Sequence, residues 1–147
     1  MPTLNFKHYF VDKILDGSKT HTMRFGARQI RQGQLLYCQY GQRFKPTRFA
    51  VLPAMRVRKV TLTRETVMVW NEDGMSFTVP PLDQFSRADG FQDWDDLKNW
   101  FDQVYGFDRT ELQGQLVQWV QASWELNTPQ AKQATQARTK CVKKTRS

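Results

Sequence analysis

The sequence predicts a small α+β domain with a basic tail, and three observations lead to this fold class. A short helix pattern precedes a strand pattern near the N-terminus, glycine-punctuated strand patterns fill the middle, and a second helix pattern lies close to residue 100. The chain has 147 residues, a length that fits a single hydrophobic core. We expect residues 1–126 to form the domain and residues 127–147 to form a flexible tail, because the tail contains few large apolar side chains.

Near the N-terminus, a helix pattern changes directly into a strand pattern. Large apolar side chains recur every four residues, which predicts a helix over residues 7–16 with one buried stripe. Gly17 stands where a left-handed residue would end that helix. Residues 20–25 then alternate between the two faces of a predicted strand, and one face carries Thr22 and Arg24.

The middle of the chain predicts further strands. Residues 35–40 form a nearly continuous apolar run, which is typical of a strand that is buried on both faces or sharply curved. Residues 41–50 are predicted to be a basic loop. Two short apolar runs, 67–70 and 75–79, flank a four-residue turn and predict a hairpin.

The second helix is predicted over residues 94–105. Its apolar positions keep helical spacing, Asp93 is suited to the N-cap, and Gly106 is suited to the end of the helix. We assign its aromatic stripe to the core rather than to a ligand site, because aromatic side chains at helical spacing usually pack inside a domain.

The turn between the first helix and the first long strand concentrates polar chemistry. Lys19 lies in this turn, and Thr22 and Arg24 project from one strand face, so the three side chains can form the cationic floor of a pocket. Such a floor suits an anion, a phosphodiester or a polarised carbonyl. The alternative is a strand face that stays in solvent. His21 is assigned to packing in preference to catalysis.

Charge is distributed unevenly along the chain. Residues 24–64 contain ten Lys or Arg and no acidic residue, residues 65–126 contain three basic and twelve acidic residues, and the tail contains six basic residues. We expect the basic regions to bind nucleic-acid phosphates, with Tyr40 and Phe44 as stacking platforms. For the tail, the alternative is that its charge serves solubility alone. The predicted nucleic-acid contacts are Arg28, Arg31, Arg43, Lys45, Arg48, Lys143 and Lys144.

Four short motifs follow one another in an order typical of a known domain family. They are Gly17-x-Lys19-x-x-Thr22-x-Arg24, the Arg24-Phe25-Gly26 step, Asp89-Gly90-Phe91 ahead of the second helix, and Gly114-Gln115-Leu116-Val117-Gln118-Trp119. Together they resemble the ASCH family, the activating signal cointegrator homology domains, which are related to the PUA RNA-binding barrels. The resemblance covers roughly residues 3–121 and implies a small PUA-like β-barrel with flanking helices.

The resemblance implies a protein that binds nucleic acid, RNA in preference to DNA, and holds a base or nucleotide in the cationic cleft. The ligand-binding residues would then be Arg24, Phe25, Gly26, Tyr40 and Phe91.

Some members of the family are amidohydrolases that remove acetate from 4-acetylcytidine, and this implies an alternative function with a modified nucleoside as substrate. The catalytic residues carried over would be Lys19, Thr22 and Asp89, with Asp89 in the place of the family's glutamate. A lysine of lowered pKa would accept the threonine proton, and the hydroxyl would attack the acetyl carbon. Metal-independent RNA cleavage is a third possibility. An Asp89→Ala substitution is expected to abolish hydrolysis but not the binding of a polyanion.

Several classes of protein are excluded by composition. The two cysteines, Cys38 and Cys141, and the two histidines offer neither a disulfide framework nor a set of zinc ligands, so we expect no metal and no cofactor. No apolar run reaches the ~18 residues of a membrane span, and the N-terminus has no secretory pattern. We therefore expect a cytoplasmic protein without a membrane partner, as a monomer or weak dimer.

Overall fold

The computed structural model describes residues 2–26, 29–42, 44–106 and 111–126. These residues form three α-helices and eight strands, so the predicted α+β class is confirmed. In chain order the elements are β1 (Thr3–Asn5), α1 (His8–Leu15), β2 (His21–Arg24), β3 (Leu35–Gln42), β4 (Lys45–Pro53), β5 (Arg56–Leu62), β6 (Val67–Trp70), β7 (Phe77–Thr78), α2 (Leu82–Ala88), α3 (Trp94–Tyr105), β8 (Leu112–Gln118) and a 3-10 helix (Ser123–Leu126).

The strands form two sheets. The first has the order β1-β3-β4 and the second the order β2-β8-β5-β6-β7. β1 runs parallel to β3, and the other pairs are antiparallel. Among the described residues no strand pairing joins the two sheets, so they do not close into one barrel there. The edge strands are β1 and β4 in the first sheet and β2 and β7 in the second.

Both sheets and the helices share one hydrophobic core. Its buried cluster includes Phe10 and Ile14 from α1, Leu36 from β3, Val60 from β5 and Phe101 from α3. Burial of one such side chain contributes ~1.5–3 kcal/mol relative to leaving it in water, so this shared cluster holds the helices against both sheets.

Both ends of α1 and α3 agree with the sequence patterns. Gly17 follows α1 with a left-handed φ of 89°. At the start of α3 the Asp93 carboxylate accepts a hydrogen bond from the Asp96 amide at 2.9 Å, and Gly106 with a φ of 74° ends the helix. No helix in the described part of the chain has the length and apolar character needed to cross a membrane.

In the middle of the chain the structure decides between two alternatives for one strand and differs from the expectations in two details. Of the two alternatives for residues 35–40, the structure has the curved one: β3 alternates between buried and more exposed positions and carries a bulge between Cys38 and Gln39. The loop predicted over residues 41–50 is wrong, because β4 begins at Lys45 and pairs with β3 as a hairpin. Helix α2 was not predicted, since seven residues are too few for a clear period.

Candidate functional site

A cavity of about 230 Å³ lies between α1, β2 and the connection from α2 to α3. It has an aromatic wall and a polar floor, and it brings together the three side chains predicted to be catalytic. The wall contains Phe6, Phe10, Phe91, Trp100, Phe101 and Tyr105. The polar lining contains Asn5, Lys7, Lys19, Thr22, Arg24 and Asp89.

Lys19 is buried in the floor of the cavity, with 2% of its surface exposed. Its amine donates hydrogen bonds to the backbone carbonyls of His21, at 2.9 Å, and of Asp89. The Asp89 carboxylate lies 3.7 Å from Lys19 Nζ, and the centre of the Phe10 ring lies 4.8 Å from it. Burial lowers the pKa of Lys19 to about 8, although the negative charge of Asp89 acts in the opposite direction. Lys19 therefore loses its proton more easily than a lysine in water does.

Asp89 directly follows α2, and the backbone fixes its position. The next residue, Gly90, has a left-handed φ of 98°, and a Cβ there would lie 2.8 Å from Cδ1 of Phe10, so only glycine fits. The Asp89 side chain is fully enclosed, and its Oδ1 lies 2.9 Å from His21 Nδ1. The carboxylate is thus held between a lysine and a histidine.

His21 orients the Asp89 carboxylate. Its Nε2 lies 2.9 Å from the indole Nε1 of Trp124, which belongs to the 3-10 helix. Because an indole N–H can only donate, Nε2 accepts, and the proton of the neutral imidazole lies on Nδ1, from which it is donated to Asp89. Burial lowers the pKa of His21, which keeps the ring neutral. This arrangement agrees with the packing role expected for His21.

Thr22 supplies a hydroxyl to the same cavity. Its side chain is 6% exposed and lines the floor with Lys19 and Asp89. Its Oγ1 forms no hydrogen bond with another residue in the described ranges. The neighbouring Thr20 differs, because its Oγ1 contacts the Ala88 carbonyl at 3.5 Å and it does not line the cavity. Thr22 is therefore available to a ligand.

Arg24 supplies a guanidinium to the cavity, and one of its N–H donors has no partner among the described residues. Its Nη2 donates to the Asn5 carbonyl at 3.0 Å, and its planar group lies 4.8 Å from the centre of the Phe6 ring. Its Nε is buried and has no hydrogen-bond partner among the described residues. A buried donor without an acceptor costs ~1–3 kcal/mol or more, so an acceptor from a ligand or water would stabilise it.

Two of the five predicted ligand-binding residues, Arg24 and Phe91, line the cavity. Phe25 does not. Its ring packs against Phe101 and Tyr105, with 5.6 Å between ring centres in both pairs, so it supports the wall from behind.

Gly26 and Tyr40 also lie outside the cavity. Gly26 follows the end of β2 and borders a separate groove beside β5 and β8. The Tyr40 ring packs against His8 and Phe49, and its neighbour Gly41 contacts the cavity instead. Successive residues of a strand face opposite sides, and sequence order alone does not tell which of the two faces the site.

The predicted nucleic-acid contacts that the structure describes are exposed but do not line the cavity. Lys45 and Arg48 belong to β4, and Arg31 lies in the connection between β2 and β3. The Arg48 guanidinium lies 4.0 Å from the centre of the Tyr37 ring. The other four, Arg28, Arg43, Lys143 and Lys144, lie outside the described residues.

Sequence reasoning missed much of the cavity wall. Trp100 and Tyr105 of α3 were assigned to the core, yet they line the cavity. Phe101 of the same helix belongs to the core cluster and also lines the cavity. Trp124 was not singled out. It is the last aromatic residue in the sequence and directly precedes the polar tail, and this position could have indicated that its side chain packs into the domain.

Comparisons of the chain with protein-family models, with curated proteins and with solved structures gave no match. Within the described ranges, no group of three or more His, Cys, Asp or Glu side chains is placed to hold a metal ion. The side chains of the cavity offer an amine, a hydroxyl, a guanidinium and a carboxylate beside an aromatic wall.

Proposed function

We propose that this protein binds single-stranded RNA and holds one base of the strand in the cavity. The observation that carries the proposal is Arg24, which lines the cavity and has a buried Nε–H without an acceptor among the described residues. A carbonyl oxygen or ring nitrogen of a base, or a phosphate oxygen, is a suitable acceptor.

The walls and the size of the cavity suit a flat aromatic ligand. Phe10, Phe91 and Trp100 pack against one another with 5.3 to 6.2 Å between ring centres. Stacking of a base on an aromatic side chain contributes ~1–3 kcal/mol. The volume of about 230 Å³ is below the ~300–1,000 Å³ of pockets for drug-sized ligands, which favours a single base.

Motif and surface charge support the same proposal. The motif that resembles the ASCH family supplies Lys19, Thr22 and Arg24 to the cavity. We include in this proposal the PUA-like fold that the resemblance implies. Two sheets that share one core, with α1 and α3 beside the cavity, support it. Outside the cavity, Lys45 and Arg48 would contact phosphates, which orient a strand without reading its sequence.

The first prediction concerns a substitution that removes the Arg24 guanidinium from the cavity. Arg24→Met is expected to weaken the binding of a fluorescently labelled single-stranded RNA about tenfold or more, because a hydrogen bond from a charged group contributes ~1.5–3 kcal/mol. Lys59→Met is the matched control, since it removes one positive charge from an exposed position of β5 that does not line the cavity. Fluorescence anisotropy at low salt measures both dissociation constants.

Equal effects of the two substitutions would contradict a base in the cavity, as would a wild-type protein that binds neither RNA nor DNA. A bound base also predicts that affinity differs between homopolymers of the four bases, whereas phosphate contacts alone give no such preference.

A second function, hydrolysis of 4-acetylcytidine, is favoured by one specific observation. The Thr22 hydroxyl, which has no hydrogen-bond partner among the described residues, shares the cavity with Lys19, whose pKa is lowered to about 8. After losing a proton, the Lys19 amine still donates its two N–H groups to the carbonyls of His21 and Asp89 and has a lone pair available.

In this scheme the bound substrate first brings the Thr22 hydroxyl within hydrogen-bond reach of Lys19, because the two groups form no hydrogen bond with each other in the described structure. Lys19 then takes the Thr22 proton while Oγ1 forms a bond to the acetyl carbon. The tetrahedral intermediate then breaks its C–N bond, and Lys19 returns the proton to the departing amine of cytidine. Water hydrolyses the threonine ester, which releases acetate and restores the hydroxyl. Asp89 is a positioning residue here, because it holds Lys19 and is itself held by His21.

The second prediction concerns this reaction. Thr22→Val is expected to lower the release of cytidine from 4-acetylcytidine about 100-fold or more, because valine keeps the shape and removes the nucleophile. Thr20→Val is the control, since Thr20 lies outside the cavity. The rate is expected to rise with pH through about 8, where Lys19 loses its proton. Chromatography of the products measures the rate, and no cytidine at high enzyme concentration would rule out this substrate.

A further inference from the structure

A second groove adjoins the cavity on the surface between α1 and α3. It has a volume of about 450 Å³. Four residues line both the groove and the cavity: Lys7, Phe10, Phe91 and Trp100. The two sites therefore adjoin each other along these four side chains, so neighbouring units of one ligand can occupy them side by side.

We propose that this groove binds the nucleotide next to the one in the cavity, so that the ligand is at least a dinucleotide and not a free nucleoside. This inference rests on the proposed RNA-binding function and names its substrate class.

Tyr9 provides the stacking surface of the groove. Its side chain is 50% exposed, and its ring packs edge-on against Phe10 with 5.2 Å between ring centres. Lys13 Nζ donates to the Tyr9 hydroxyl at 2.9 Å and to the Gly90 carbonyl at 2.9 Å, and it lies 4.3 Å from the centre of the Tyr9 ring. These contacts hold the ring in place before a base arrives, which lowers the entropy cost of stacking.

The charges of the groove fit one orientation of a nucleotide. Lys7 is exposed and lines both sites, so it is placed to pair with the phosphate that links two nucleotides. Asp96 lines the groove but not the cavity, and its carboxylate accepts a hydrogen bond from the Gln92 backbone amide at 2.9 Å. A carboxylate repels phosphate but accepts from the exocyclic amine of adenine, cytosine or guanine. The groove therefore favours a base that carries an amino group.

The test compares mononucleotides with a dinucleotide built from the same bases. Tryptophan fluorescence reports binding, because Trp100 lines both sites. The dinucleotide UpA is expected to bind about tenfold more tightly than UMP or AMP, and Tyr9→Ala is expected to remove most of that gain without changing the binding of UMP. Tyr9→Phe keeps the ring but loses the hydrogen bond from Lys13, so it is expected to keep more of the gain than Tyr9→Ala. Leu15→Ala is the control, since Leu15 is exposed on the same helix and lines neither site.

The outcomes separate the two proposals. Equal affinities for UpA and the mononucleotides, or a gain that survives Tyr9→Ala, would overturn the groove site and leave the single-base cavity standing. Absence of binding by all three probes would overturn both the groove site and the proposed function.

Discussion

Asp89→Ala is expected to lower the free energy of unfolding by ~3–5 kcal/mol, the usual cost of removing one partner from a buried ion pair. The carboxylate lies 3.7 Å from the enclosed Lys19 amine and 2.9 Å from His21 Nδ1. Its loss leaves a buried cation without a counter-charge and a buried N–H without an acceptor. Urea unfolding followed by circular dichroism measures the change.

Two controls show whether the charge pair causes this loss. Asp95→Ala breaks the exposed pair with Lys98, whose atoms lie 3.3 Å apart, and is expected to cost less than ~1 kcal/mol. The double variant Lys19→Met/Asp89→Ala is expected to lose less free energy of unfolding than the two single variants lose together, because it no longer contains an unpaired buried cation. A loss no larger than that of Asp95→Ala would contradict the buried pair.

This expected loss changes how the two candidate functions are separated. Sequence reasoning chose Asp89→Ala to distinguish a hydrolase from a polyanion-binding protein. In the structure Asp89 positions Lys19 and His21, so the substitution disturbs the site under either function. Thr22→Val makes the cleaner distinction, because the Thr22 hydroxyl has no partner to lose in the described part of the chain.

Gly114→Ala is expected to destabilise the protein by about 3 kcal/mol or more, at the upper end of the cost of overpacking. A Cβ at this position of β8 would lie 2.2 Å from the Arg24 carbonyl oxygen, 2.6 Å from Phe25 Cδ1 and 2.9 Å from Phe25 Cα. Two of these atoms belong to the backbone, which cannot turn aside as a flexible side chain can. The end of β2 must therefore move away from β8, and Arg24 moves with it.

Gly26→Ala is the matched control for Gly114→Ala. A Cβ at Gly26 meets no atom within 4 Å, and its φ is not left-handed, so we expect a change in stability within ~0.5 kcal/mol. Thermal unfolding compares the two variants, and RNA titration of any folded Gly114→Ala protein reports the displacement of Arg24. A Gly114→Ala protein as stable as Gly26→Ala would show that the strands are not this close.

Elements with a long, regular period could be predicted from the sequence. The predicted bounds of α3 agree with the structure, because twelve residues with a capping aspartate and a closing glycine form a strong local pattern. Helix α2 has seven residues and no side-chain cap, so nothing local marks it. The β3–β4 hairpin was missed for a different reason: residues 45–48 of β4 are exposed, and a strand without a buried face has no apolar alternation to detect.

The site could be predicted only in part. The resemblance to the ASCH family implied that Lys19, Thr22 and Asp89 form one group, and all three line the cavity. Spacing could not tell that Trp100 faces the cavity, because a helix face next to a cavity and one next to the core carry the same aromatic residues. Nor could spacing distinguish Tyr40 from Gly41 at the end of β3, where neighbouring residues point to opposite sides of the sheet.

The indole of Trp124 connects the far end of the domain to the protonation state of the site. It comes from the last four described residues of the chain, yet its N–H donates to Nε2 of His21, so that nitrogen cannot hold a proton while this hydrogen bond is made. A chain shortened to residue 122 would lose that donor and leave the Nε2 lone pair without its partner, while the Asp89 carboxylate, which only accepts, would keep the proton on Nδ1. Tags and truncations are therefore best placed beyond residue 126, even though the motif residues themselves lie a hundred positions earlier in the sequence.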